Sequence, residues 1–296
     1  MRSRDRIVLA LSITALIPLP ALAGGGSSVE SRRDPKTCAD YSVRFDGDAV
    51  ARGEETLTVR AGRGPVKLRP HENGGVTIRG GSGADYRITV CKFAGGATQA
   101  EAERRLAEAK ATASADGVSV DGPEEGFTAF LIVDAPRDAN LDVSTSNGPV
   151  SVSDLGGSLV LKAENGPLTL RNVDGRIDVE AENGPISLKE ASGSVRIRGQ
   201  NGPLTIELSG MRWDGEGLDA STENGPLTVK VPEGYASSLS AETSSWAPAS
   251  CKAEMCGDGK FVKRDGRKVL ESGSGSAIVK VSTKNGPLSV GTARGR

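Results

Sequence analysis

The chain has 296 residues, with 37 Lys and Arg against 38 Asp and Glu and a formal net charge of −1. This balance, without a basic stripe, excludes nucleic acid as a partner. Aromatic residues make up 3% of the chain, too few to line a sugar-stacking groove, and a single histidine leaves little material for a metal centre.

Residues 1–23 read as a secretory signal peptide. Arg2, Arg4 and Arg6 precede an apolar run from Ile7 to Ala23, and Ala21-Leu22-Ala23 forms a small-x-small cleavage site before Gly24. The alternative is an uncleaved anchor, but the run is short against the roughly 20 apolar residues of a spanning helix and contains Pro18 and Pro20. The residue directly after the cleavage site is Gly24 and not Cys, so lipidation there has no acceptor. No later segment is apolar enough to span a bilayer. Cleavage would remove three Arg and one Asp, leaving 34 basic and 37 acidic side chains and a net of −3. Export implies an oxidising compartment, where Cys38, Cys91, Cys251 and Cys256 form two disulfides by default. Of the three possible pairings, Cys38–Cys91 and Cys251–Cys256 are favoured, because each pair lies in one local region. Cys251-x4-Cys256 as half a zinc site fails for want of further ligands, since the only histidine is His71 in another region.

Residues 24–37 read as a flexible lead. Residues 38–140 form an N-terminal β region that caps the repeats and supplies irregular first coils. Leu57/Val59, Val66/Leu68, Val76/Ile78 and Tyr86/Ile88/Val90 alternate with polar residues, as half-buried strands do. One helix is expected over 98–112, opened by the capping box Thr98-x-x-Glu101. Its apolar face is Ala102, Leu106, Ala109 and Ala113.

Residues 141–291 are a repeat. Asn-Gly-Pro occurs at Asn147, Asn165, Asn183, Asn201, Asn224 and Asn285, and the first four are 18 residues apart. Counting from each Asn, offsets 3 and 5 are apolar, as in Leu168/Leu170 and Ile186/Leu188. The half before each Asn repeats the logic, as in Ile177/Val179. The fold class that follows is all-β, a parallel β-solenoid with about 18 residues per coil. Asn and Gly supply the turn, Pro starts the strand where a missing N–H costs least, and stacked turns would align the Asn side chains into an amide ladder. That makes the motif structural. A calcium-binding roll would need a repeated Asp that is not there. About five residues are inserted around Met211–Gly217. Leu239–Ser245 reads as a degenerate coil, and 246–275 as an inserted loop with Trp246, Phe261 and the Cys251/Cys256 pair. This loop is either a binding site or an end cap.

Ile177–Gly184 and Val279–Gly286 share the form apolar-x-apolar-x-small-x-Asn-Gly, preceded by an alternating stretch at Thr77–Lys92 and a short Ala/Glu-rich helix. In this the chain resembles a family of exported bacterial adhesin-like proteins with β-strand repeats, over about residues 50–291. The Pro after each Asn-Gly and the Cys251/Cys256 loop depart from that pattern. The resemblance implies the fold and a place in the cell envelope, and carries over no catalytic residues.

The expected function is that of an exported structural or interaction protein of the envelope, in the periplasm or on the cell surface. It would be non-catalytic and without a cofactor, binding a protein or glycan partner through the repeat surface. The alternative is a β-helix polysaccharide lyase or hydrolase, which needs convergent carboxylates. Glu164, Glu182 and Glu223 precede their Asn residues as a column, and such a column repeats because the coil repeats. A small-ligand carrier is disfavoured, because Leu, Ile and Val fill the inward positions.

Overall fold

The computed structural model describes residues 28–31, 34–47, 49–257, 260–274 and 278–293; the signal peptide expected over 1–23 lies outside them. The described chain is all-β apart from one helix and two short 3-10 turns. Its strands form two large mixed sheets, of twelve and eleven strands among the described residues, and a two-stranded ribbon.

The repeats explain the sheets. Asn140–Asn147, Ser158–Asn165, Arg176–Asn183, Ser194–Asn201 and Gly217–Asn224 pair in parallel in the first sheet. Val150–Ser153, Leu168–Val173, Ile186–Ala191, Leu204–Glu207 and Leu227–Val231 do so in the second. Each Asn-Gly-Pro carries the chain from one sheet to the other. The pairing puts equivalent residues opposite each other, so Leu159 meets Ile177, and Ile177 meets Val195. Inward columns from both sheets merge into one core, in which Leu159, Leu170, Val179, Ile197 and Leu227 are at most 1% exposed. Close stacking also explains the glycines. Gly166 and Gly184 lie at φ 132° and 136°, and a Cβ on either would land on the carbonyl oxygen of the equivalent glycine one repeat back.

The stack extends further than six Asn-Gly-Pro motifs indicate. Val66–Arg69 pairs in parallel with Asn140–Asn147, and Val76–Gly81 with Val150–Ser153. Residues 66–81 are therefore one more layer, with Asn73-Gly74-Gly75 at its corner.

At both ends, spatial order departs from sequence order. Outside the 66–81 layer lie Gly117–Asp121 and Phe127–Pro136, paired in parallel to it. Two antiparallel strands, Tyr86–Gly96 and then Ala49–Val59, continue the second sheet beyond. At the other end, Val279–Thr283 and Leu288–Thr292 insert between the 217–231 layer and the strands Leu239–Ser244 and Ala249–Cys251. The degenerate coil is thus the outermost parallel layer, and the last described strands of the chain lie inside it. The segment 246–275 is correspondingly less of a loop than its sequence indicates. Ala249–Cys251 extends the second sheet, while Val262–Arg264 and Arg267–Ser272 form an antiparallel hairpin on Leu239–Ser244.

Two further expectations are corrected. The helix covers Gln99–Glu108 rather than 98–112. Thr98 caps it, its hydroxyl accepting from the Glu101 N–H at 3.3 Å, but Ala109 is already extended, and Lys110–Ser114 pairs with Gly117–Asp121. That hairpin takes the backbone groups a longer helix would need. Residues 24–37 are not a lead throughout, because Ser28–Ser31 pairs antiparallel with Tyr41–Arg44. Tyr41 and Val43 hold this ribbon on the outer face of the second sheet, against Phe93, Phe130 and Ile132. Tyr41 stacks on Phe130 with ring centroids 4.5 Å apart.

Candidate functional site

The corner turns form the most regular feature of the surface. Asn147 donates through Nδ2 to Oδ1 of Asn73 at 3.3 Å, and Asn165 donates likewise to Asn147 at 2.9 Å. Asn183, Asn201, Asn224 and Asn285 continue the line at 3.0, 3.0, 3.0 and 2.9 Å. The ladder has seven members. Asn73 was readable from its own offsets, since Val76 and Ile78 follow at positions 3 and 5, but it lacks the proline and stands 74 residues from Asn147.

Next to the ladder, the outer face of the second sheet is ruled into columns. Pro149, Pro167, Pro185, Pro203, Pro226 and Pro287 are all exposed. Two positions on, the strand register aligns Thr77, Ser151, Thr169, Ser187, Thr205, Thr228, Ser289 and Ser250 as an unbroken line of hydroxyls. A third column holds Arg79, Ser153, Arg171, Lys189, Glu207 and Lys230. Lys189 and Lys230 share Glu207 at 3.4 and 3.6 Å, while Arg171 is exposed and has no ion-pair partner among the described residues. Parallel strands about 4.8 Å apart fix this spacing.

At its N-terminal end the face is overhung. Asp34, Pro35 and Tyr41 stand above the hydroxyl line and enclose a groove of about 660 Å³, with Thr169, Arg171, Ser187 and Lys189 along its floor. Arg79 holds the overhang, bonding Asp34 at 3.2 Å and the Pro35 carbonyl. The Cys38–Cys91 disulfide ties the same segment to the sheet. Burial pushes the Tyr41 phenol up to about 12, against a hydrogen bond to Thr77 and the charge of Arg79.

The remaining candidates are dispersed. Cys251 and Cys256 are bonded to each other at the opposite end of the sheet. Trp246 is 69% exposed at the outermost corner, whereas Phe261 is half-buried against the core, and no ring contact joins them among the described residues. Glu164, Glu182 and Glu223 are exposed along the edge of the first sheet, and Lys284 comes within 4.0 Å of Glu223. Among the described residues no three His, Cys, Asp or Glu side chains gather as a metal site, and no helix is long and apolar enough to cross a membrane. A buried tryptophan in the insertion was not anticipated from the repeat. Trp213, in the insertion after Leu204–Glu207, is 7% exposed and donates through Nε1 to the Gly193 carbonyl at 3.0 Å. The insertion fills the core wall at this point.

No protein-family model matches the sequence, and no curated protein matches it. Two solved structures are similar at low identity. One is a "putative cell adhesion protein" from Clostridium sporogenes, with 11% identity, covering 82% of this chain and 100% of that one at a TM-score of 0.34. The other is a "putative adhesin" from Bacteroides fragilis, with 8% identity, 81% and 97% coverage and a TM-score of 0.31.

Proposed function

We propose that the protein is an exported, adhesin-like component of the cell envelope, in the periplasm or on the cell surface. Its two sheets are the faces of a parallel β-solenoid that acts as a non-catalytic scaffold. It binds a protein or glycan partner through the outer face of the second sheet. The observation that carries this reading is the alignment of exposed prolines, hydroxyls and Arg171, which has no ion-pair partner among the described residues, in columns along one rigid face. A surface ordered by backbone stacking meets its partner without reorganising, which lowers the entropic cost of binding. The two disulfides suit an oxidising compartment. The acids at Glu164, Glu182 and Glu223 repeat with the coil, as a solvated edge does.

The test is co-sedimentation of the purified protein with envelope fragments, beside Thr169→Glu and Arg171→Glu, which alter the face without touching the core. Binding should fall in both variants while their melting curves stay unchanged. Equal binding by all three proteins would reject the face. Cleavage of an envelope polysaccharide by the wild type, abolished by Glu182→Gln, would reject the scaffold reading.

A further inference from the structure

The two large sheets have four edges, and three of them are short. They end on Ala249–Cys251 and Val262–Arg264, of three residues each, and on Lys110–Ser114, of five. Short edge strands are one way in which proteins avoid unwanted pairing. The fourth edge, Ala49–Val59, has eleven residues and no Pro or Lys. All eleven pair with Tyr86–Gly96 on one side. On the other side no backbone hydrogen bond reaches them among the described residues.

The charges on this strand follow a pattern. Arg52 and Glu54 are exposed and two residues apart, so both project from the same face. The Arg52 guanidinium lies 5.6 Å from the centroid of the Phe93 ring, which places it on that face. Glu55, on the opposite face, is held by Lys92 at 2.8 Å.

We propose that this edge is a homodimer interface. Two copies pair antiparallel through Ala49–Leu57, with the twofold axis through Gly53. In that register Arg52 stands opposite Glu54 of the partner subunit, and Glu54 opposite Arg52 of the partner subunit. Both are directly facing cross-strand pairs. Gly53 meets its own copy, with no side chain to hold the strands apart. Neighbouring registers are worse. An axis through Arg52, Glu54 or Glu55 would set a like charge against itself. The sequence Arg-Gly-Glu is self-complementary in one register, which favours a second copy over an unrelated strand as the occupant. The pairing continues the second sheet from one subunit into the other, beyond anything the scaffold reading requires.

Sedimentation velocity on the wild type, Arg52→Glu, Glu54→Arg and the double variant Arg52→Glu/Glu54→Arg tests the proposal. The wild type should be a dimer. Each single variant faces like charges twice and should dimerise about tenfold more weakly or worse. The double variant restores opposite charges and should dimerise again. An equimolar mixture of the two single variants should form a mixed dimer, because one carries only Glu at these sites and the other only Arg. These are exposed substitutions, and unchanged circular dichroism melts would verify folding. A monomeric wild type would overturn the proposal. So would a dimer untouched by both single variants, or single variants that fail to associate when mixed.

Discussion

Asn147 donates a side-chain hydrogen bond to Asn73 at 3.3 Å, across 74 residues of sequence. Through it, a segment of the N-terminal region joins the amide ladder of the repeats. Asn183, inside the ladder, both donates and accepts along the line, whereas Asn73 at its end accepts one ladder bond. Each bond contributes about 1 kcal/mol. Thermal melts should therefore show Asn183→Ala losing about twice the stability that Asn73→Ala loses.

The inward columns make a stronger demand. Leu170 is fully buried. Leu170→Ala should cost about 2–5 kcal/mol, and Leu170→Asp more, since it buries a carboxylate among apolar neighbours. Exposed Glu182→Gln should shift stability by less than about 0.5 kcal/mol. Denaturant titrations of the three variants measure the difference. Normal unfolding of Leu170→Asp would contradict the inward placement.

His71 gives the fold a pH dependence. It is 6% exposed, its Nδ1 lacks a hydrogen-bond partner, and its ring meets Phe127 edge-on at 4.8 Å. Burial lowers its pKa, against the opposing charges of Glu72 and Asp121. The unfolded chain, with a His pKa of about 6.5, then takes up its proton before the folded chain does. The contribution is complete above about pH 6.5 and declines as pH falls through that value towards the folded pKa. Stability measured between pH 7.5 and 5 should fall less steeply in His71→Phe than in the wild type. Parallel curves would assign the pH response to other groups.

The Cys38–Cys91 bond closes a span of 53 residues. Chain entropy gives such a crosslink about 4 kcal/mol. Cys38→Ser/Cys91→Ser should release the overhang above the hydroxyl column, so limited proteolysis should cut near Asp34–Tyr41 before it touches the repeats. A cleavage pattern identical to that of the wild type would show that the Tyr41–Phe130 stack and the Arg79 bonds hold the segment without the disulfide.

Deleting 278–296 offers a topological test. In a stack wound in sequence order, the deletion would trim the end. Here it removes Val279–Thr283 and Leu288–Thr292 from between two layers and uncovers both. The truncated chain should lose cooperative unfolding and bind a hydrophobic dye, rather than melt slightly earlier.

The core columns were legible because parallel stacking keeps the period constant. Once Leu168 and Leu170 are read as inward, Ile186 and Leu188 follow. The Asn-Gly-Pro corners were legible for the same reason. Asn73 was hidden by the missing proline and by the long excursion behind it. The helix was read too long because Ala109 and Ala113 continue its spacing, while the hairpin that claims Lys110–Ser114 is a pairing across the chain. The exchanged layers leave no local mark, since Leu239-x-Ala241 and Val279-x-Val281 carry the same pattern and either could lie outside. The hydroxyl and charge columns could have been found by continuing the offset count to positions 4 and 6. The overhang of Tyr41 depends on a disulfide and an aromatic cluster that no period encodes.

The exchanged order at both ends sets where this architecture can grow. From Asn140 to Glu207 each layer follows its neighbour in sequence, so duplicating or deleting one 18-residue unit would change the height of the stack and leave every other contact in place. Towards the ends this order is lost: the 66–81 layer is clasped between two segments that both follow it in the chain, and the 279–292 layer between two that both precede it, so an added unit there would have to break an existing ladder. Length variation among descendants of this gene would accordingly collect in the middle, between two fixed bookends.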